Sequence, residues 1–140
     1  MPERAQSVDV IHAQLNLFAR RVRALVNRLH PDLSFVAYTL LAHVHATGGC
    51  RAIDLAGYYL LDKSTVSRQV TDLERRGLLD RVVGPGRPTA QILRVTPAGQ
   101  KKIEAAGRQQ RTVLEERFAD WSAADLSAFA GYLERFNDEG

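Results

Sequence analysis

The sequence predicts a mainly α fold with a small β-hairpin, and three patterns in its 140 residues support this. Apolar residues recur every three or four positions through most of the chain, as in helices with one buried face. Two short runs rich in β-forming residues, 79–83 and 91–95, flank the turn segment Gly-Pro-Gly-Arg-Pro, which predicts a hairpin. With 45% apolar and 25% charged residues, the chain is expected to form one domain over 1–140.

The N-terminal helix is expected from Val8 to Leu29, where apolar residues alternate at spacings of three and four. Such a heptad seam is typical of a long helix that packs lengthwise on another helix. The seam consists of Val8, Ile11, Leu15, Phe18, Val22, Leu25 and Leu29, and Ala19 and Val26 widen it. A core helix of a monomer would show the same spacing, so the sequence leaves that alternative open.

The second helix is expected over 35–46. Pro31 ends the helix before it, because the residue preceding a proline avoids the α conformation. Ser34 is a suitable N-cap, and Gly48-Gly49 supplies the C-terminal stop.

Two further helices are expected before the hairpin. A short one covers about 51–58, and Asp62 is expected to cap a longer one that ends at Arg76. Gly77 stands where a helix C-cap belongs. One face of the longer helix is apolar and consists of Val66, Val70 and Leu73.

Two helices are expected after the hairpin. Thr96 followed by Pro97 is a cap with proline at the first helical position, opening a helix towards Phe118. Ser122, with Asp125 three residues later, begins the last helix. Its apolar stripe, spaced three, four and three, consists of Leu126, Phe129, Leu133 and Phe136.

The net charge of +3 is unevenly distributed. Residues 1–60 carry an excess of two positive charges, residues 61–103 an excess of five, and residues 104–140 an excess of four negative charges. A basic middle segment favours an anionic partner, nucleic acid before membrane. A charged, merely solvated face is the alternative.

The order helix, short turn, helix and hairpin predicts a winged helix-turn-helix lobe over 34–96, in which the second of the two helices enters the DNA major groove. The outward side of that helix carries hydroxyls, an amide and guanidiniums, which bind phosphates and base edges. A solvated surface would more often carry Glu-Lys pairs. The predicted DNA contacts are Asp62, Lys63, Ser64, Thr65, Ser67, Arg68, Gln69, Thr71, Arg75 and, at the hairpin turn, Arg87.

Four segments at matching separations resemble the MarR family of bacterial transcription regulators. They are Leu55-Ala56, residues 61–68 (LDKSTVSR), residues 73–81 (LERRGLLDR) and residues 95–99 (VTPAG). The resemblance implies a homodimer formed by helices in 1–30 and 97–140, with two lobes on a pseudopalindromic operator. It also implies, for many members, a small effector bound between the lobes and the dimer region. A repressor is the expected role.

Three positions depart from the family pattern. The wing usually carries an Asp-Arg-Arg-like group, of which only Arg87 remains here. Leu60 stands where the family often has glycine, and a positive φ at that position would strain it. Tyr58-Tyr59 is also unusual, so either the turn is reshaped or Tyr59 fills a core position while Tyr58 faces a groove or phosphate.

Other function classes find little support in the sequence. The chain lacks the serine-hydrolase, zinc-protease and phosphate-loop motifs, so no enzyme and no cofactor are predicted. His43 and His45 point about 200° apart on a helix and cannot chelate a metal from one face. The runner-up is a winged-helix protein adaptor that binds no specific DNA sequence.

The single cysteine, Cys50, excludes an internal disulfide and a thiolate-rich zinc site. We expect it to be a small, partly buried loop residue. Redox sensing is the alternative, because the neighbouring Arg51 would favour the thiolate. Neither a spanning segment nor a secretory signal is evident, so no membrane partner and a cytoplasmic location are expected.

Overall fold

The computed structural model describes residues 2–83 and 91–138 and confirms a mainly α fold with one small hairpin. The order of elements is the one expected from the sequence. The helices and strands are α1 (Pro2–Leu29), α2 (Phe35–Thr47), α3 (Ala52–Tyr58), α4 (Lys63–Arg75), β1 (Leu79–Val83), β2 (Gln91–Val95), α5 (Pro97–Arg117) and α6 (Ala123–Asp138).

Helix α2 begins and ends as its capping residues predict. The Ser34 hydroxyl accepts a hydrogen bond from the backbone N–H of Ala37 at 3.0 Å, which satisfies a donor of the first turn. At the other end, Gly48 has a φ of 73° and its N–H donates to the carbonyl of His45. Only glycine adopts this left-handed conformation without steric cost, so the glycine pair ends the helix.

Asp62 is the N-cap residue of α4, as expected, but it does not cap the helix through its side chain. Its exposed carboxylate makes no capping hydrogen bond. The first turn is closed by the backbone, because the N–H of Val66 donates to the carbonyl of Asp62 at 3.1 Å. At the C-terminal end Arg76 is the cap residue, and Gly77 follows in the left-handed region with a φ of 72°.

The hairpin strands pair antiparallel over the predicted ranges. Leu79 lies opposite Val95, and Val83 lies opposite Gln91. An isolated bridge adds Cys50 beside Leu93, with backbone hydrogen bonds of 3.2 and 2.8 Å. The segment before α3 is therefore fixed to the edge of the hairpin.

Thr96 joins the start of α5 to the hairpin. Its hydroxyl accepts a hydrogen bond from the Gly99 N–H at 3.0 Å and donates one to the carbonyl of Gly77 at 2.6 Å. Gly99 lies so close to Leu78 that a Cβ on this glycine would approach the Leu78 carbonyl oxygen to 2.2 Å. The helix therefore depends on a glycine here, which the Thr96-Pro97 pattern alone did not reveal.

The chain divides into two compact units, Met1–Ala106 and Gly107–Gly140. The core of the first unit is formed by apolar side chains of α2, α3, α4, the hairpin and the start of α5. Its largest fully buried members include Leu33, Leu40, Leu41, Leu55, Leu73, Leu79 and Leu93. In the second unit the rings of Phe118, Trp121 and Phe129 contact one another, with centroids 5.0–6.2 Å apart.

Within the described residues, no helix combines the length and apolarity that a bilayer crossing requires.

Candidate nucleic-acid interface

Helix α4 has one buried and one exposed face. Val66, Val70 and Leu73 are at most 1% exposed and pack in the core of the first unit. The opposite row runs along the helix at spacings of four, three and four residues, which keeps its members on one side. That row consists of Ser64, Arg68, Thr71 and Arg75.

The predicted contact residues differ in how far they reach solvent. Thr65, Gln69 and Thr71 are half-buried. The Gln69 amide oxygen also lies 3.4 Å from the Ser34 hydroxyl, which is a long hydrogen bond to the start of α2. Arg87 lies outside the described residues. The exposed members are Asp62, Lys63, Ser64, Ser67, Arg68 and Arg75.

Three of the exposed residues are cations that form no ion pair within the part of the chain that the structure describes. Lys63, Arg68 and Arg75 make no ion pair with any residue in 2–83 or 91–138. Lys63 stands at the N-terminus of α4, where the helix dipole also favours an anion. Guanidiniums can bind phosphate or the paired acceptors of a guanine edge, so this face is chemically suited to duplex DNA.

Another basic residue near α4, Arg81, has a structural role. Arg81 of β1 pairs with Glu74 of α4 at 2.7 Å and donates to Gln91 of β2 at 3.2 Å. These bonds tie both strands of the hairpin to α4. Sequence reasoning had not singled out Arg81, because its partners are seven and ten residues away.

The turn before α4 confirms the expected strain at Leu60. Leu60 has a φ of 53° and is 93% exposed, so it occupies the left-handed region without compensating burial. Tyr59 packs against the core, and its hydroxyl bonds to His43 Nδ1 at 2.9 Å. Tyr58 is 71% exposed, with its ring 4.8 Å from that of His43. The alternative in which Tyr59 fills the core position therefore agrees with the structure.

Cys50 is a partly buried residue, as expected. The alternative, in which Arg51 favours the Cys50 thiolate, is not supported. Burial raises the pKa of the Cys50 thiol, and the nearby Asp54 carboxylate raises it further. Arg51 pairs with Asp54 at 3.2 Å, so its charge is already partnered. The structure therefore favours the thiol over the thiolate at this position.

A second ionic feature was not visible in the sequence. Asp32, in the loop between α1 and α2, pairs with Arg76 at 3.3 Å and also with Lys102 of α5. The hydrogen bond from Lys102 is the largest cause that lowers the pKa of this carboxyl. The partners are 44 and 70 residues away, so only the fold brings these charges together.

Apolar side chains remain exposed along α1 and α6. The first half of the α1 seam is at least 38% exposed, whereas Val22, Leu25 and Leu29 are half-buried and the neighbouring Val26 is fully buried. In α6, Leu126 is half-buried. The exposed members of the two stripes are Val8, Ile11, Leu15, Phe18, Phe129, Leu133 and Phe136.

Residues 32–87, which include α2, α3, α4 and β1, match the model of the MarR family. The chain is therefore similar to the MarR family over this segment, which contains α4 and its exposed face.

The similarity to known regulators extends over nearly the whole length of this chain. A Bacillus subtilis protein, described as the uncharacterized HTH-type transcriptional regulator YxaD, is 28% identical over 132 residues, which cover 93% of this chain and 92% of that protein. The MarR protein from Peptoclostridium difficile has 16% identity and a TM-score of 0.79, with 92% of this chain and 86% of that one covered. Bordetella bronchiseptica BpsR has 20% identity and a TM-score of 0.72, with 91% and 93% covered.

Proposed function

We propose that this protein is a homodimeric repressor of the MarR type that binds a pseudopalindromic operator. The observation that carries the proposal is the exposed row on α4, where Arg68 and Arg75 make no ion pair with any described residue. The face combines unpaired guanidiniums with short hydroxyls, and it lies opposite an apolar face buried in the core. Base reading requires such a rigidly mounted polar face.

We assign each residue to a base or a phosphate contact from the chemistry of its side chain. Arg68 lies in the middle of the exposed row and is assigned to a base edge, since a guanidinium can donate two hydrogen bonds to guanine. Lys63 and Ser64, at the positive end of the helix dipole, are assigned to phosphates. Arg87 of the turn is assigned to the flanking minor groove or backbone.

The decisive experiment selects bound sequences from a random duplex pool and then compares Arg68→Ala with the unmodified protein. We expect a two-fold symmetric motif with half-sites about 10 bp apart. Arg68→Ala is expected to cost about 1–3 kcal/mol and to relax preference at one position per half-site. The control is Arg111→Ala, because Arg111 is exposed on α5 and pairs only within its own helix.

Two outcomes would contradict this proposal. One is the absence of any enriched motif, and the other is affinity for random duplex that is indifferent to salt, which would favour a protein adaptor. With about six to ten phosphates contacted, affinity should instead fall by roughly 10³–10⁵ between 50 and 200 mM salt. Repression is tested by placing the selected operator over a reporter promoter, where deletion of the protein should raise transcription.

A small effector that weakens operator binding completes the proposal. BpsR is described as a protein whose DNA binding is regulated by 6-hydroxynicotinic acid. Similar control is proposed for this chain. A compound that lowers operator affinity and also raises the melting temperature of the DNA-free protein would identify the effector.

A further inference from the structure

Three elements of the first unit meet at Asp32. Its carboxylate, in the loop between α1 and α2, accepts hydrogen bonds from Arg76 at the C-cap of α4 and from Lys102 of α5. The Arg76 and Lys102 side chains are only 30% and 28% exposed. The Asp32 carboxylate that they share is 52% exposed, so solvent and salt still screen both pairs in part.

The segment after α4 also contacts the start of α5 directly, because the Thr96 hydroxyl donates to the carbonyl of Gly77. Helix α4 packs on α2, α3 and β1, all within the proposed DNA-binding lobe 34–96. Lys102 belongs to α5, which lies in the segment 97–140 proposed to form the dimer. Asp32 therefore joins the C-terminal end of the recognition helix to a helix outside the lobe.

We infer that Asp32 is a positioning residue that fixes the orientation of α4 against the first turns of α5 and so sets the half-site spacing the dimer accepts. The inference rests on the proposed homodimeric DNA binding. Arg76 follows the last residue of α4, so a shift of this anchor rotates the whole helix about its N-terminal contacts. In a dimer, equal rotations in both lobes change the separation of the two recognition helices.

The test compares Asp32→Asn with the unmodified protein on operators whose half-site separation is changed by one or two base pairs. We expect the preference for the native spacing to fall at least threefold, while affinity for random duplex changes less than twofold. Asp54→Asn is the matched control, because it removes the same charge from an ion pair with Arg51 that joins no two helices. It should leave the spacing preference unchanged.

A second variant and a second measurement keep the inference falsifiable. Lys102→Gln breaks the same contact from the other side and should lower the spacing preference in the same way, even if Asp32→Asn fails to fold. Amide hydrogen exchange over residues 72–78 should accelerate at least threefold in both variants. An unchanged spacing preference in the folded variants overturns the inference.

The outcomes also separate this inference from the proposed function. If the unmodified protein prefers no operator, the proposed function fails. Amide hydrogen exchange over residues 72–78 then becomes the only test of whether Asp32 holds the end of α4. Unchanged exchange in that case rejects Asp32 as a positioning residue. A normal operator preference with unchanged spacing selectivity in both variants rejects the inference and leaves the proposed function intact.

Discussion

Leu60 lies in the turn that connects α3 to α4. For a residue with a Cβ, a left-handed backbone costs about 1–2 kcal/mol of folding free energy. The exposed Leu60 side chain recovers almost none of that free energy through burial. The strain follows from the turn, since the Leu61 N–H must reach the carbonyl of Ala56 at 3.0 Å before α4 can begin.

Replacing Leu60 with glycine should relieve that strain. Leu60→Gly is expected to be about 0.5–1 kcal/mol more stable than Leu60→Ala, which removes the same exposed side chain but keeps the Cβ. The larger unfolded-state entropy of glycine offsets part of the gain. Urea denaturation of both variants measures the difference, and equal stabilities would show that the turn carries no such strain.

Burial and the Asp54 carboxylate both raise the pKa of the Cys50 thiol. We therefore expect iodoacetamide to react with the native protein more slowly than with free cysteine at pH 7, and the rate to keep rising above the ordinary thiol pKa. Folding also disfavours the thiolate, so this group's contribution to stability is lost as pH rises through that range.

Redox sensing at Cys50 has a direct test. Cys50→Ser should bind operator like the unmodified protein, with or without peroxide. Release of DNA by peroxide from the unmodified protein, but not from Cys50→Ser, would instead establish a thiol-based sensor.

Helix α5 is held to the hairpin by backbone proximity as well as by its cap. Gly99→Ala is expected to destabilise the protein by about 1–3 kcal/mol, because the new methyl group would collide with the Leu78 carbonyl oxygen and force a backbone shift. Thermal or urea unfolding measures the loss.

Gly107 in the same helix offers the matched control. A Cβ at Gly107 meets no atom within 4 Å, so Gly107→Ala should stabilise the helix by about 0.5–1 kcal/mol through its better helix propensity. Similar changes in stability from the two substitutions would argue against the close approach of α5 to Leu78.

At the scale of the whole molecule, the exposed apolar seam of α1 is the main evidence for self-association. Phe18→Asp should dissociate the proposed dimer, because it places a charge in an apolar interface. Phe18 is 60% exposed in the single chain, so the fold itself should survive. Sedimentation at micromolar concentration measures the change, with circular dichroism as the check on folding.

Asn16→Asp is the control for this substitution. Asn16 is exposed and lies on the side of α1 opposite Phe18, two residues away along the helix. The same charge at that position should leave the dimer intact. An unmodified protein that sediments as a monomer would refute the dimer proposal.

The sequence by itself determined the elements of this fold, because capping residues and apolar spacing act over a few neighbouring positions. Ser34, Gly48, Gly77 and Thr96 begin or end helices where their local chemistry requires, and alternating apolar spacing separates the buried from the polar face of α4. Residues 62–76 alone were therefore enough to predict the polar face of α4.

Only the tertiary structure decided which basic side chains form ion pairs. Arg81 and Arg76 resemble Arg68 in sequence, yet the first two are paired with Glu74 and Asp32. Those partners meet only when the chain has folded, because electrostatic and steric contacts depend on separation in space and not along the chain. The same reason hid the collision at Gly99 and the raised pKa of Cys50 from the sequence.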